Sequence, residues 1–391
     1  MSELTDILLS KPVPPNYKAS RHEGDLTKEI EVKGDKAEVV LNIPEAERVD
    51  QAAGHAYLEA HGLDPAEWEP TSFRTSEWTM NSGEKGISVR FGFSRRSSAL
   101  DRPSLDEILP LVQDYQPSIN RPDGDHGFVV ALGDMQFGKI DGDGVEGTLY
   151  RTIDYLNRAA DLLLTYRKRY DIGHVHVAWL GDHVEGFVSQ GGANTFRTVL
   201  TLNEQIRLTR RVMLHALRLF ADQAQLVSMA AVPGNHGEPQ RFAGKGVTRY
   251  DDSHDTESLI AVADATTLNP EAFQHVHFFV PNTDEMTVVV PVAGTVVGHA
   301  HGNQWRYGKH FEWWKGQAFD PSNPLGKADL LLSGHLHHEF IDSDGKRLFI
   351  QVPAMESEST WWRHNKGSRG NPGLIVAITK DGHTSPMEVV R

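Results

Sequence analysis

The centre of this sequence is Val177-Ala178-Trp179-Leu180-Gly181-Asp182-His183-Val184-Glu185-Gly186, an apolar run that stops at a glycine followed by two acids. A short β-prone run ending in Gly-Asp puts a carboxylate at the C-terminal edge of a buried strand. Open α/β sheets bind their ligands at that edge. We therefore expect the functional site to be built around Asp182.

Four other apolar runs end in the same way, at a glycine followed by polar side chains. They continue into Gly133-Asp134-Met135-Gln136, Gly234-Asn235-His236-Gly237-Glu238, Gly298-His299-Ala300-His301 and Gly334-His335-Leu336-His337. Five strand ends would thus carry Asp, Gln, Asn and His. Because ligands bind outside the carboxyl ends of the strands, these side chains are expected to converge on one point.

The composition is that of an ordinary globular protein, with 39% hydrophobic and 24% charged residues among 391. A chain of this length has room for about two domains of ~150 residues each. It contains no cysteine, which excludes disulfides, thiolate nucleophiles and Cys-ligated zinc. Its twenty histidines, with carboxylates and amides, leave imidazole and oxygen donors for any metal.

Charge and hydropathy exclude two further classes of protein. The net charge of -14 argues against a broad cationic surface for nucleic acid, although bound metal could still hold a phosphodiester. No apolar run approaches the ~20 residues of a membrane span, and the first residues lack the apolar core of a signal peptide. We expect a cytoplasmic protein with no membrane partner.

Residues 1–125 differ in pattern from the rest and are expected to form a small α+β N-terminal domain and its linker. Strand-like alternation runs through Glu29–Ile43, and helical spacing follows over Pro44–His61. Two more strands are predicted at Thr71–Trp78 and Gly86–Phe93. A structural or assembly role and a substrate-positioning role both remain open for this domain.

Residues 126–391 alternate between strand and helix patterns and are expected to form the second domain. Amphipathic spacing predicts helices at Thr148–Tyr170, Leu202–Phe220 and Asp252–Ala265. A Trp-rich loop is expected around Trp305–Trp314, and Leu374–Ile378 is expected to be a closing strand. Mixed helices and strands in this order predict two packed sheets with helices outside them.

The five strand-end motifs, in this order, resemble those of the calcineurin-like metallophosphoesterases, over roughly Gly127–Gly382. The resemblance implies an α/β fold, a four-layer α-β-β-α metallophosphoesterase sandwich of two mixed sheets, preceded here by the small α+β domain. The Gly-Asp-x-Gln-x-Gly-Lys opening and Glu312-Trp313-Trp314-Lys315 look most like phage-encoded and bacterial members related to the double-strand-break-repair nuclease branch. A phage-encoded member would act in the host cytoplasm.

The resemblance implies two divalent ions, which in such enzymes lie ~3.5 to 4 Å apart. Asp182 would be the shared anion; Asp134, Gln136 and His337 would complete the first metal, and Asn235, His299 and His335 the second. His299 is favoured over His301 because it follows the predicted strand directly. Gln136 departs from the histidine commonly found there, so either its amide oxygen binds the first metal weakly or a water takes that place. Both favour manganese over zinc, with iron, zinc, magnesium or nickel as alternatives.

The remaining motif residues are assigned around these ligands. The resemblance places His236 beside the metals, as the acid that protonates the departing alkoxide. Trp305, Trp313, Trp314, Trp361 and Trp362 could stack nucleic-acid bases or simply pack in the core. Residues expected to support the ligands or contact substrate are His183, Glu185, Glu238, Arg241 and His301.

The sequence thus predicts a dinuclear metal-dependent phosphodiesterase or nuclease, which hydrolyses DNA by attack of a water activated between the metals. Alternatives are a phosphomonoesterase, a cyclic-nucleotide phosphodiesterase, or a non-catalytic metal-containing scaffold that binds DNA or protein. The expected partner is nucleic acid or another phosphodiester. A homo-oligomer and a repair or replication partner are left open.

Overall fold

The structure is a computed structural model. It describes residues 17–23, 26–33, 36–44, 51–60, 63–79, 83, 85–95, 112, 114–116, 118, 120–189, 194, 198–239, 241–242, 245–246, 249–360, 363–364, 367 and 370–391. The chain divides into two compact units, Met1–Ser104 and Leu105–Arg391.

The first unit is an antiparallel sheet with one helix. Its strands are β1 (Tyr17–Glu23), β2 (Leu26–Lys33), β3 (Lys36–Pro44), β4 (Trp68–Thr79) and β5 (Lys85–Arg95), in the order β1-β2-β3-β5-β4. Alternate residues of β2, β3 and β5 are buried together with Leu58 of helix α1 (Gln51–Ala60). This period of two gives the sheet one buried face, as the alternation over Glu29–Ile43 predicts. A sheet with one helix is the small α+β arrangement that the sequence predicts for this part of the chain.

The end of the predicted linker packs on the second unit. The first unit ends at Ser104, earlier than residue 125, to which the sequence prediction extends the first domain and its linker. The ring of Tyr115 stacks on that of Phe273, with centroids 5.1 Å apart. Asn269 Nδ2 donates to the carbonyl oxygens of Val112 (2.8 Å) and Tyr115 (2.9 Å). These apolar and backbone groups find partners on the second unit, so this segment belongs to it.

Helices and strands alternate along the second unit. Its strands are β6 (His126–Leu132), β7 (Ile172–Trp179), β8 (Leu226–Ala231), β9 (Arg241–Phe242), β10 (Lys245–Gly246), β11 (Val276–Phe279), β12 (Val288–Val292), β13 (Thr295–His299), β14 (Leu330–Ser333), β15 (Phe340–Asp344), β16 (Arg347–Gln351), β17 (Leu374–Lys380) and β18 (His383–Val390). Its helices are α2 (Gly144–Tyr166), α3 (Leu202–Phe220), α4 (His254–Thr266), α5 (Pro270–Phe273) and α6 (His310–Gln317).

Two mixed sheets form the body of this unit. The six-stranded sheet has the order β11-β8-β7-β6-β17-β18, in which β6, β7, β8 and β11 are parallel and β17 and β18 antiparallel. The five-stranded sheet has the order β12-β13-β14-β16-β15, with β13, β14 and β16 parallel. The carboxyl ends of parallel neighbours meet at one edge, so the loops after β6, β7 and β8 and those after β13 and β14 each share an edge.

A dry core joins the two sheets, and other elements cover their outer faces. Small and β-branched side chains from both sheets, such as Ala178 and Val290, form one buried cluster. On the outside of the five-stranded sheet, Trp314 of α6 packs with Leu331 and Phe349. The predicted sandwich of two mixed sheets is confirmed. No helix in the described part of the chain is long and apolar enough to span a membrane.

The Trp-rich segment differs from the prediction, because part of it is the helix α6 and not a loop. Trp314 is fully buried, and its Nε1 donates to the carbonyl of Leu325 (2.8 Å). Trp305 lies 4.7 Å from Trp313 between ring centroids and belongs to the same cluster. Trp305 and Trp314 therefore pack in the core, and Trp313 packs at its margin. Trp361 and Trp362 lie outside the described residues.

Helix α3 carries a buried histidine that should lower the stability of the fold at acid pH. Thr201 begins the helix with a capping box to Glu204. His215 lies on the buried face, and burial, aided by Arg218, lowers its pKa to about 4. In the unfolded chain it would titrate near ~6.5, so the unfolded state binds more protons as the pH falls below that value.

We expect this histidine to lower the free energy of unfolding at about pH 5 by about 2 kcal/mol relative to its value at about pH 7.5. The His215→Leu variant should lose that much less stability between the two pH values, measured by denaturant unfolding. His277→Leu changes an exposed histidine and should leave the pH difference as in the wild type. The prediction would be contradicted if the free energy of unfolding changed between the two pH values by the same amount in His215→Leu and in the wild type.

Candidate metal centre

Asp182 lies at the centre of the edge where the strand ends meet. Its Oδ2 is 3.1 Å from Nε2 of His301, and its Oδ1 accepts the backbone N–H of His236 (2.8 Å). Burial alone would raise the pKa of this carboxyl, but the charges on His301 and His236 hold it well below its usual range. The site therefore has a buried anion at its centre.

Asp134 and His337 lie together beside Asp182's loop. Asp134 Oδ1 is 3.3 Å from His337 Nε2, while the Nδ1 of His337 lies 2.9 Å from Glu356 Oε1. Burial opposes protonation of His337, but Asp134 and Glu356 raise its pKa to about 10. A carboxylate on one imidazole nitrogen, leaving the other for an ion, is the usual support of a metal-binding histidine. Asp134, Gln136 and His337 are called the first position below.

His301 and His335 approach Asp182 from the other sheet. Their nitrogens Nε2 and Nδ1 are 3.3 Å apart, and in the described part of the chain Asp182, His301 and His335 form the one group of three acids or histidines with donor atoms within 4.8 Å. Burial lowers the pKa of His335 to about 4, so its ring is neutral and ready to bind a cation. These three residues and Asn235 are called the second position below.

A buried oxygen shows that the site suits cations. Asn235 Oδ1 is shielded from solvent and has no hydrogen-bond donor among the described residues. A buried acceptor without a partner costs about 1–3 kcal/mol and calls for an explanation such as an ion. Carboxylate, amide and imidazole donors fit a divalent ion of hard or borderline character.

The backbone of the site is strained in a consistent way. Positive φ angles occur at five of the predicted ligands, namely Asp134 (52°), Gln136 (43°), Asp182 (52°), His335 (72°) and His337 (59°). A non-glycine residue in this region costs of order 1–3 kcal/mol and persists where the surroundings hold it. At Gly234 a Cβ would lie 2.1 Å from Asp182 Oδ1, so only glycine lets the two loops approach. The loops are shaped to bring these side chains inward.

Asp255, near the start of α4, holds the loops around Asp182 in place. Its carboxylate accepts the backbone N–H groups of Asp182 (3.1 Å), His183 (2.9 Å) and Gly234 (2.9 Å). Burial would raise the pKa of this carboxyl, but the nearby His183 ring and these N–H groups lower it. Asp255 thus ties two strand ends together beneath the site.

Replacement of Asp255 by alanine should destabilise the metal-free fold by about 3 kcal/mol or more, because three buried N–H groups lose their acceptor. Denaturant unfolding in the presence of a chelator measures this loss. Asp252→Ala, at an exposed position on the same segment, should change stability by less than about 0.5 kcal/mol. Equal stabilities of the two variants would show that Asp255 does not support the loops.

His236 is positioned on the same carboxylate. Its Nδ1 lies 3.0 Å from the carbonyl oxygen of Glu185, and its Nε2 lies 3.1 Å from Ser189 Oγ and 3.9 Å from Asp182 Oδ2. Burial disfavours the charged ring, but Asp182 and Glu185 raise the pKa of His236 to about 9. The geometry orients Nε2 toward the Asp182 side of the site.

The structure places His299 and His301 in different surroundings. The sequence ended the strand at Val297, whereas β13 runs to His299, so His299 lies between the sheets. Its Nε2 is 2.8 Å from Nε2 of His176, and its Nδ1 is 3.0 Å from the carbonyl of Val288. Both ring nitrogens are thus engaged away from Asp182. One strand period further on, the side chain of His301 reaches that carboxylate.

Gln136 lies at the predicted place but already has a partner. Its Oε1 accepts a hydrogen bond from Lys139 Nζ (2.8 Å), and its backbone N–H donates to the carbonyl of Asp182 (2.9 Å). The loops after β6 and β7 are therefore held together by their backbones at this point.

The supporting residues predicted from sequence have mixed placements. Both His183 and Glu185 are buried: the ring of His183 is 3.2 Å from Asp255 Oδ1, and Glu185 Oε2 is 3.3 Å from His236 Nδ1. Glu238 is half-buried in the loop after β8. The side chain of Arg241 lies outside the described residues.

Four residues of the site were not predicted from sequence, namely Lys139, Ser189, Asp255 and Glu356. Asp255 could have been noticed as an acid in the first turn of a helix after the N-cap Ser253. Lys139 belongs to the Gly-Asp-x-Gln-x-Gly-Lys motif, but its spacing does not reveal its contact. Ser189 and Glu356 follow no pattern that marks them.

Comparison with solved structures shows distant structural neighbours. No protein-family model matches the chain, and no curated protein matches it. A conserved uncharacterized protein of Streptococcus pneumoniae, described as a predicted phosphoesterase, has a TM-score of 0.28 at 13% identity, covering 66% of this chain and 84% of its own.

Two further solved structures are similar over a comparable part of the chain. An archaeal phosphodiesterase has a TM-score of 0.31 at 10% identity, over 67% of this chain and 99% of its own. Vps29 from Entamoeba histolytica complexed with zinc has a TM-score of 0.29 at 12% identity, over 68% of this chain and 99% of its own. Values this low carry no functional argument, so function must be argued from the site itself.

Proposed function

We propose that this protein is a divalent-metal-dependent phosphodiesterase that hydrolyses nucleic acid, with DNA as the favoured substrate. One observation carries the proposal: the donor atoms of Asp182, His301 and His335 lie within 4.8 Å of one another, and His236 rests on the same carboxylate. A cation site beside an oriented imidazole suits cleavage of a phosphate ester.

The residues present fit two divalent ions. Asp134, Gln136 and His337 would hold one, and Asn235, His301 and His335 the other, with Asp182 between them. Bound ions would neutralise phosphoryl oxygens and provide an activated water as the nucleophile. Manganese is favoured because an amide oxygen stands at residue 136 in place of an imidazole.

The chain's own residues supply the proton and the dry surroundings. The Nδ1 of His236 is engaged by the Glu185 carbonyl (3.0 Å), which leaves Nε2 to carry the proton toward a leaving oxygen. Ser189 Oγ, 3.1 Å from Nε2, helps to keep the ring in this orientation. Asp182, His301 and Asp134 are all buried, so charges here act with little screening by water.

The preference for DNA is supported by the sequence resemblance and not by a cationic surface, since the chain carries a net charge of -14. An acidic protein can still hold a phosphodiester through bound cations at the reacting group. Cleavage of DNA therefore needs a test separate from that of phosphodiester hydrolysis in general.

A substrate panel tests the proposal on the full chain loaded with Mn²⁺. The substrates are bis(p-nitrophenyl) phosphate, single- and double-stranded DNA, RNA, cyclic nucleotides and p-nitrophenyl phosphate, with chelated protein as control. Turnover of the dye diester and of DNA, lost on chelation, is expected. Turnover of the monoester alone would indicate a phosphomonoesterase, cyclic nucleotides alone a cyclic-nucleotide phosphodiesterase, and bound metal without turnover a scaffold.

A further inference from the structure

The first position contains a positive charge supplied by the chain itself. The ammonium group of Lys139 donates a hydrogen bond to Gln136 Oε1 (2.8 Å), the oxygen predicted to bind an ion. The same Nζ lies 3.4 Å from Glu356 Oε2. Lys139 and Glu356 have side chains only 10% and 5% exposed, so this contact is not a solvated surface pair.

Local sequence folds the lysine back onto the glutamine. Gln136 and Gly138 have positive φ angles of 43° and 117°, and the N–H of Lys139 donates to the carbonyl of Gln136 (3.1 Å). A β-bridge between Lys139 and Thr198 holds the end of this turn. Four consecutive residues thus bring an amide oxygen and an ammonium group together beside Asp134.

The two positions differ in what an incoming ion would meet. At the second position, Asn235 Oδ1 has no donor among the described residues. At the first position, an ion that uses Gln136 Oε1 must share it with the ammonium group or displace it. Like charges at such a distance in a buried site repel strongly.

We propose that Lys139 acts as a built-in cation of the first position. The second position therefore binds a divalent ion first and more tightly, and a further ion enters the first position only when Lys139 leaves Gln136. This inference rests on the proposed metal-dependent function and names the order in which its centre fills.

Replacement of the lysine leaves Glu356 with other hydrogen-bond partners. Glu356 still faces His337 (2.9 Å) and accepts the N–H of Glu358 (3.1 Å). Gln136 would instead present an unoccupied oxygen to solvent or to an ion. A neutral side chain at residue 139 should therefore convert the first position into a better cation site.

Metal binding by the full chain tests this without reference to hydrolysis. Mn²⁺ binding is measured by calorimetric titration and by elemental analysis after dialysis, for wild type, Lys139→Met, Lys139→Arg and the exposed-site control Lys168→Met. Wild type should bind one ion at least ~10-fold more tightly than any second ion. Lys139→Met should tighten the weaker step at least ~10-fold, whereas Lys139→Arg and Lys168→Met should behave as wild type.

Several results would overturn the proposal. These are two equal sites in the wild type, identical isotherms for wild type and Lys139→Met, or weaker binding in Lys139→Met. Circular dichroism confirms that each variant is folded; if Lys139→Met is not, Lys139→Gln, which also removes the positive charge, decides by the same criteria. A protein that shows the expected isotherms but hydrolyses no phosphate ester would disprove the proposed function and leave this inference standing.

Discussion

Asp182→Asn is expected to lose bound metal and phosphodiester hydrolysis together, with a fall in rate of at least about 1000-fold. The carboxylate is the buried anion that faces His301 at 3.1 Å, and the loops of both positions meet around it. An amide of the same size removes the negative charge and leaves the repulsion between two cations uncompensated. Elemental analysis after dialysis and the rate on bis(p-nitrophenyl) phosphate measure the two losses.

Asp161→Asn is the matched control, because it makes the same chemical change at an exposed position on α2. It should keep wild-type metal content and rate. Full metal occupancy in Asp182→Asn would disprove the assignment of Asp182 as the shared ligand, whatever happened to the rate. Metal loss without rate loss would show that hydrolysis does not depend on this centre.

His236→Asn is expected to slow DNA hydrolysis by ~10² to 10⁴-fold while hydrolysis of bis(p-nitrophenyl) phosphate falls far less. A nucleotide alkoxide needs a proton to depart, whereas a nitrophenolate leaves well without one. His236 touches Asp182 through its backbone N–H, which asparagine retains, so metal content should stay near that of wild type.

The control for His236 is His383→Asn, at an exposed position on β18, which should leave both rates unchanged. Equal losses on both substrates with metal retained would assign His236 to stabilising phosphoryl charge. Loss of metal would make it a ligand. Either result would contradict the role of general acid.

The fold was predictable because its signals are local. Alternation of period two marked the strands of the first unit, and amphipathic spacing predicted α3 at the residues where the structure has it, Leu202–Phe220. Four apolar runs ending in glycine placed Asp134, Asp182, Asn235 and His335 after β6, β7, β8 and β14. Their roles as ligands remain predictions. Parallel strands bring the first three residues to one edge of the six-stranded sheet as expected, and His335 approaches from the five-stranded sheet.

Strand length and core packing could not be predicted from the sequence. β13 runs two residues further than predicted, so His299 is enclosed between the sheets, and the side chain of His301 lies 3.1 Å from Asp182. The sequence left open whether the tryptophans of α6 stack on bases or pack in the core, and the structure buries Trp314 fully in a core cluster. Neither the spacing of apolar residues nor the composition indicates where a strand ends or which face of a short helix is buried.

The sequence by itself determined which chemical groups stand at the strand ends, because a glycine and a polar residue after an apolar run are adjacent in the chain. Only the tertiary structure decided which groups support them. Asp255 binds N–H groups of two other loops, and Glu356 reaches His337 from a different strand end. Such contacts join residues far apart in the chain, so their geometry depends on how the two sheets pack and not on any local pattern.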